Sequence, residues 1–175
     1  MTAAEAYELA TQGGASDFAR VIELCHLLGP YCLTGGLAVN CYVEPVYTLD
    51  ADIIVVAKNL PMLVARLKEE GFATEQHPHS VNATAPQSEL RILFTTDERY
   101  QAFLDRAQEA DVLGTRVRVA SLRDVVQGKL WAYGDPQRRL SKRKKDELDL
   151  IRLAERFPGL ISGYPDELRR QLDQK

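Results

Sequence analysis

No apolar run in this 175-residue sequence is longer than the five residues 53–57. A bilayer-crossing helix needs about 20 such residues, so no membrane span is expected. Residues 1–14 carry two acids, no basic residue and no long apolar core, which argues against a secretory signal. Cysteine is scarce: Cys25, Cys32 and Cys41 are odd in number and lack any metal-type pairing, so reduced thiols in a cytoplasm are the expected state. The three histidines have no zinc-ligand spacing with them. There is no internal repeat, no low-complexity tract and no linker long enough to separate two domains. What remains is globular composition, 45% hydrophobic and 27% charged, in a chain long enough to bury its own core.

The formal net charge of −3 hides a segregation. Residues 1–137 hold 11 Lys and Arg against 18 Asp and Glu, whereas residues 138–145 (RRLSKRKK) hold six positive charges and no negative one. A basic patch of that density can attract phosphate whatever the global sign, although it can equally be a solvated helix face. Periodicity predicts a helix over 15–28, a short strand over 31–34 and a helix starting within 37–43. It continues with a buried Ile/Val strand over 51–57, a helix from Pro61 to about Glu70 and a loop over 75–88. Next come a strand over 90–94, a helix over 98–109 and a hairpin over 112–119 turning at Gly114. Ser121 and Asp124 resemble a capping box opening a helix to Tyr133, and a last long helix spans about 138–157. This order predicts an α/β (α+β) fold: a small mixed sheet flanked by helices, with a helical C-terminal part. The expected organisation is an N-terminal segment 1–14, a core 15–120 and C-terminal helices 121–175 packed on it.

Three features carry chemistry. Gly35-Gly36 sits where a strand passes into a helix, a place where backbone N–H groups can approach a phosphate, though glycine pairs there are often only structural. Asp50-Ala51-Asp52 opens the most apolar strand, so both carboxylates project from one face of the sheet. Two such acids need a compensating cation, and hard oxygen ligands suit Mg²⁺; a neighbouring arginine would serve as well. Lys129 lies at the edge of an apolar helix stripe, from which it either snorkels or points into a cleft. In the following helix Lys142, Asp146 and Asp149 share a face. Trp131 is placed to stack on a base or, more simply, to pack in the core.

The stretch GGLAVNCYVEPVYTLDADIIV, running from Gly35 to Val55, resembles the signature of the nucleotidyltransferase superfamily. The later stretch GKLWAYGDPQRRLSKRKKDELDLIRL resembles the Lys…Arg…Lys-Asp-x-x-Asp-Leu ending of the branch that holds the AbiEii-type toxins and related small bacterial nucleotidyltransferase-like proteins. The resemblance covers about residues 20–157. It implies that Gly35 and Gly36 cradle a nucleoside triphosphate and that Asp50 and Asp52 hold Mg²⁺. It also implies that Lys129 and one of Arg138 or Arg139 meet the phosphates, with Lys142 beside them, and that Asp146 or Asp149 takes the last acidic position.

One departure from that pattern concerns the third carboxylate expected on a neighbouring strand. By parity along 88–94, Arg91 falls where the acid belongs, and Glu89 is the candidate stand-in as a metal ligand. Three functional readings follow: a Mg²⁺-dependent transferase acting on an unknown acceptor (RNA, protein or small molecule), a nucleotide- or RNA-binding module without turnover, and a toxin-like protein held by an antitoxin-like partner.

Overall fold

The computed structural model describes residues 1–173. Its centre is strand β2 (Asp50–Val55), where Ala51, Ile53, Ile54 and Val55 are buried while Asp50 and Asp52 are only partly so. On one side β2 pairs antiparallel with β1 (Tyr31–Thr34), which sets Thr34 opposite Asp52. On the other it pairs parallel with β5 (Arg91–Thr95), which sets Arg91 opposite Asp50 and Leu93 opposite Asp52. The hairpin β3 (Ala73–His77) and β4 (Ser80–Thr84) extends the sheet beyond β5, and β6 (Gln108–Val112) with β7 (Thr115–Val119) extends it beyond β1. The order is β3-β4-β5-β2-β1-β7-β6, a seven-stranded mixed sheet. Helix α2 (Gly14–Leu28) packs on α4 (Leu60–Glu69), and between them they touch β7 and β3. The short α3 (Gly35–Val39) packs on α7 (Leu122–Gly134) and α8 (Leu140–Arg156), which lie against each other. The expected mixed α+β fold is what the chain adopts.

Up to the last long helix most predicted elements stand within a few residues of their places and three differ, while beyond it the chain adds a short helix over Asp166–Leu172. The 75–88 stretch contains most of a β-hairpin instead of being loop throughout. β3 is an edge strand with four of its five residues exposed, so it lacks the apolar signal that marks buried strands; only Val81 and Ala83 of β4 are buried. The 98–109 segment is not one helix but two short helical turns, α5 (Glu98–Gln101) and α6 (Phe103–Arg106). Ala107 then turns extended and β6 begins at Gln108, because pairing with β7 outweighs local helix preference. The third difference is an added helix, α1 (Ala3–Ala10), inside the 1–14 segment, capped by reciprocal hydrogen bonds between Thr2 and Glu5. The 112–119 hairpin turns through Leu113 and Gly114, both at positive φ (53° and 78°). Ser121 caps α7 by accepting from the Asp124 backbone N–H, and Asp124 is gripped by Arg106 at 2.7 and 2.9 Å.

Candidate active site

β1 runs into α3 at Gly35, whose φ of +70° is a conformation that side chains resist. A Cβ there would also stand 2.0 Å from Asp52 Oδ2, so the Asp52 carboxylate lies directly against the glycine backbone. Gly36 is less constrained, since a Cβ there would meet Thr48 at an ordinary 3.5 Å. Gly36, Thr48 and Asp52 line one side of a cleft of about 430 Å3, and Gly35 and Asp52 line a smaller adjoining chamber of about 150 Å3 beside Tyr100 and Gly128. Asp52, Leu93, Lys129, Arg138 and Asp146 line both spaces.

The opposite wall comes from α7 and α8. Lys129 is buried, with Nζ 2.9 Å from Asp146 Oδ1 and 2.8 Å from Asp149 Oδ2. Burial works to lower its pKa, but the charges of Asp149 and Asp146 outweigh burial and raise it above the ordinary lysine value. Arg138 Nε holds the other oxygen of Asp146 at 2.6 Å, and Arg152 holds Asp149 at 2.7 Å. Lys142 reaches across to Asp50 Oδ2 at 2.7 Å, and Lys145 reaches Thr48 Oγ1 at 3.3 Å.

The two strand carboxylates differ in state. Asp50 is doubly held, by Lys142 and by Arg91, whose Nε lies 2.9 Å from Oδ1. Burial pushes its carboxyl up, but the hydrogen bond and charge of Lys142, then the charge of Arg91, bring it below the usual carboxylate range. Asp52 accepts no hydrogen bond and makes no ion pair among the described residues. Its carboxyl is raised, by burial above all and then by the charge of Asp50. A partly buried carboxylate with neither a hydrogen-bond nor an ion-pair partner is the feature that a cation would complete. The strand position opposite it is Leu93, which offers no donor, and no group of three His, Cys, Asp or Glu stands ready to hold a metal among the described residues. The donor set therefore fits a single cation at Asp52 better than a fully built carboxylate cage.

Of the residues singled out in the sequence, Gly36, Asp50, Asp52, Lys129, Arg138, Lys142 and Asp146 line the main cleft, and Gly35 lines the adjoining chamber. Three do not. Glu89 precedes the start of β5, so strand parity does not reach it: its backbone N–H bonds Thr11 and its carboxylate accepts from Gln12 Nε2 at 3.4 Å. Arg139 is exposed at the N-cap of α8, and Asp149 sits behind Lys129, tied to Arg152. Of the residue pairs left open, Arg138 and Asp146 are the ones at the cleft. Trp131 is partly buried and packs against the core, stacked on Phe103 at 5.8 Å and edge-on to Tyr100 at 5.2 Å. Sequence reasoning missed Thr48, Asn82 and Thr84, polar wall residues with no pattern to reveal them, and Lys145, hidden within the basic run.

No family model and no curated protein matches the sequence. Solved structures do match the fold. ANT(2")-Ia in complex with adenylyl-2"-tobramycin superposes with a TM-score of 0.58 at 14% identity, over 91% of this chain and 96% of that one. The lincomycin-bound lincosamide antibiotic adenylyltransferase LnuA gives 0.55 at 15%, over 78% and 92%. An antigenic nucleotidyltransferase-like protein from Paracoccidioides brasiliensis gives 0.55 at 16%, over 94% of each chain. The chain has the nucleotidyltransferase fold. That likeness of fold extends over 78–94% of the chain.

Proposed function

We propose that the chain binds a nucleoside triphosphate in this cleft and transfers its nucleotidyl group to an acceptor hydroxyl. The observation that carries this reading is the meeting of Asp50 and Asp52 with Lys129, Arg138, Lys142 and Lys145 across one cleft beside the Gly35-Gly36 turn. In such a transfer the acceptor oxygen bonds to the α-phosphorus while the bond to the β-phosphate bridging oxygen breaks. Pyrophosphate leaves with the electron pair, and the hydroxyl proton passes to solvent. Little covalent chemistry falls to the protein, which must align the reactants and neutralise charge. Lys129 is fixed by Asp146 and Asp149, so its charge is held at the cleft without reorganisation. Arg138, Lys142 and Lys145 offset phosphate charge along the same wall. Asp52, with Asp50 beside it, is where a divalent cation such as Mg²⁺ would be held. Bound there, the cation would polarise phosphate oxygens. The acceptor class stays open among RNA, protein and small molecule. The three free thiols and the absence of any long apolar helix among the described residues suit a cytoplasmic setting.

Calorimetric titration of a non-hydrolysable triphosphate tests the reading. Mg²⁺-dependent binding is expected, lost in Asp50→Ala and in Asp52→Ala while the far-UV circular dichroism stays native. Undiminished binding in both variants would sink it. A second reading is favoured by the Arg91–Asp50 contact of 2.9 Å: a nucleotide- or RNA-binding module in which transfer has been largely given up. Its mark is tight triphosphate binding with no pyrophosphate release. A toxin-like role under an antitoxin-like partner rests on the sequence resemblance alone, and co-purification of a small partner would support it.

A further inference from the structure

The cleft's charges are unevenly paired. Asp146 is held by Lys129 and Arg138, and Asp50 by Arg91 and Lys142, while Asp52 has no partner among the described residues. Five basic side chains line the main cleft against four carboxylates, so its walls are net positive. A triphosphate carrying one divalent cation is still an anion and is attracted by such walls; one carrying two is neutral overall and is attracted far less. The β5 positions opposite Asp50 and Asp52 are Arg91 and Leu93, a cation and a hydrocarbon, and neither can ligate a second metal.

We propose that this site takes one divalent cation, at Asp52, and that the guanidinium of Arg91 stands at Asp50 in place of a second. Arg91 is suited to this because only its Nε is engaged. Its side chain is 58% exposed, and its two terminal nitrogens have no partner among the described residues, which leaves them free to bond phosphate oxygens in a planar fork. Lys142, on the other oxygen of Asp50, keeps that carboxylate ionised and fixes its orientation. A guanidinium contributes one positive charge where a metal contributes two, and that deficit is made up by Lys142 and Lys145 on the facing wall. This inference rests on the triphosphate reading and specifies its metal and phosphate chemistry.

Counting Mn²⁺ by electron paramagnetic resonance in the full chain, saturated with a triphosphate bearing a non-hydrolysable α,β bridge, tests it. One bound Mn²⁺ per chain is expected. Arg91→Asp, on an exposed side chain that should not disturb folding, is expected to raise the count to two by adding a donor beside Asp50. Arg91→Gln is expected to leave the count at one and to weaken triphosphate binding about tenfold, through loss of a charge-assisted contact. Two Mn²⁺ in the unaltered chain, or one in Arg91→Asp, would overturn the inference while leaving triphosphate binding intact. No triphosphate binding at any Mn²⁺ concentration would overturn the underlying reading and this inference together.

Discussion

At Gly35 a single missing methyl group joins backbone geometry to chemistry. The positive φ and the Asp52 carboxylate 2.0 Å from a notional Cβ both exclude a side chain. Gly35→Ala is expected to cost about 1–3 kcal/mol in strain, which lowers Tm by about 2–12 °C in a chain of this size. It should also abolish triphosphate binding by displacing Asp52. Gly36→Ala, whose nearest neighbour is Thr48 at 3.5 Å, is expected to leave Tm nearly unchanged. Differential scanning fluorimetry of the two variants distinguishes a specific role for Gly35 from a general need for small residues. The Gly-Gly pair and the Asp-x-Asp pair were legible in the sequence because their spacing places them at a strand exit and a strand entry. Their direct contact was not, since it depends on the register that sets Thr34 opposite Asp52.

Helices α7 and α8 are joined by a buried ionic lattice as well as by apolar packing. Lys129 of α7 lies between Asp146 and Asp149 of α8, and Arg138 and Arg152 take the outer oxygens. Breaking a buried pair leaves an uncompensated charge, so Lys129→Met is expected to destabilise the chain by about 3 kcal/mol at neutral pH. The sign of the pH dependence follows from the raised pKa of Lys129. Its contribution is complete below the ordinary lysine value of 10.5 and is lost as pH rises through the higher folded value. The Tm difference between the two proteins should therefore be constant from neutral pH to that range and shrink above it. A difference that shrank near neutral pH would contradict the lattice. The sequence showed Lys142, Asp146 and Asp149 on one helix face. It could not show that Asp149 turns to Arg152 and away from the cleft, or that Glu89 falls short of β5 and bonds the α1–α2 turn. Parity fails at Glu89 because the strand begins two residues later, and strand ends are set by pairing partners.

Across the whole molecule, the acidic body and the basic 138–145 run meet at one place. The net charge of −3 gives no hint of it, because the carboxylates of β2 and the cations of α7 and α8 come together only in the folded chain. Fold class was legible from the alternation of strands and helices. The polar hairpin β3–β4, which adds Asn82 and Thr84 to the cleft, was not, since its exposed edge strand has no apolar signature. Facing walls of opposite character are what a metal-bearing triphosphate needs, one for the cation and one for the phosphates. The measurement that bears most directly on this account is a crystal structure of the chain soaked with Mg²⁺ and a non-hydrolysable nucleoside triphosphate. The phosphates are expected between the Gly35-Gly36 turn and Lys129 with Arg138, one cation is expected on Asp52, and Arg91 should remain on Asp50. A triphosphate bound elsewhere on the surface, with Asp52 uncoordinated at saturating ligand, would contradict the account.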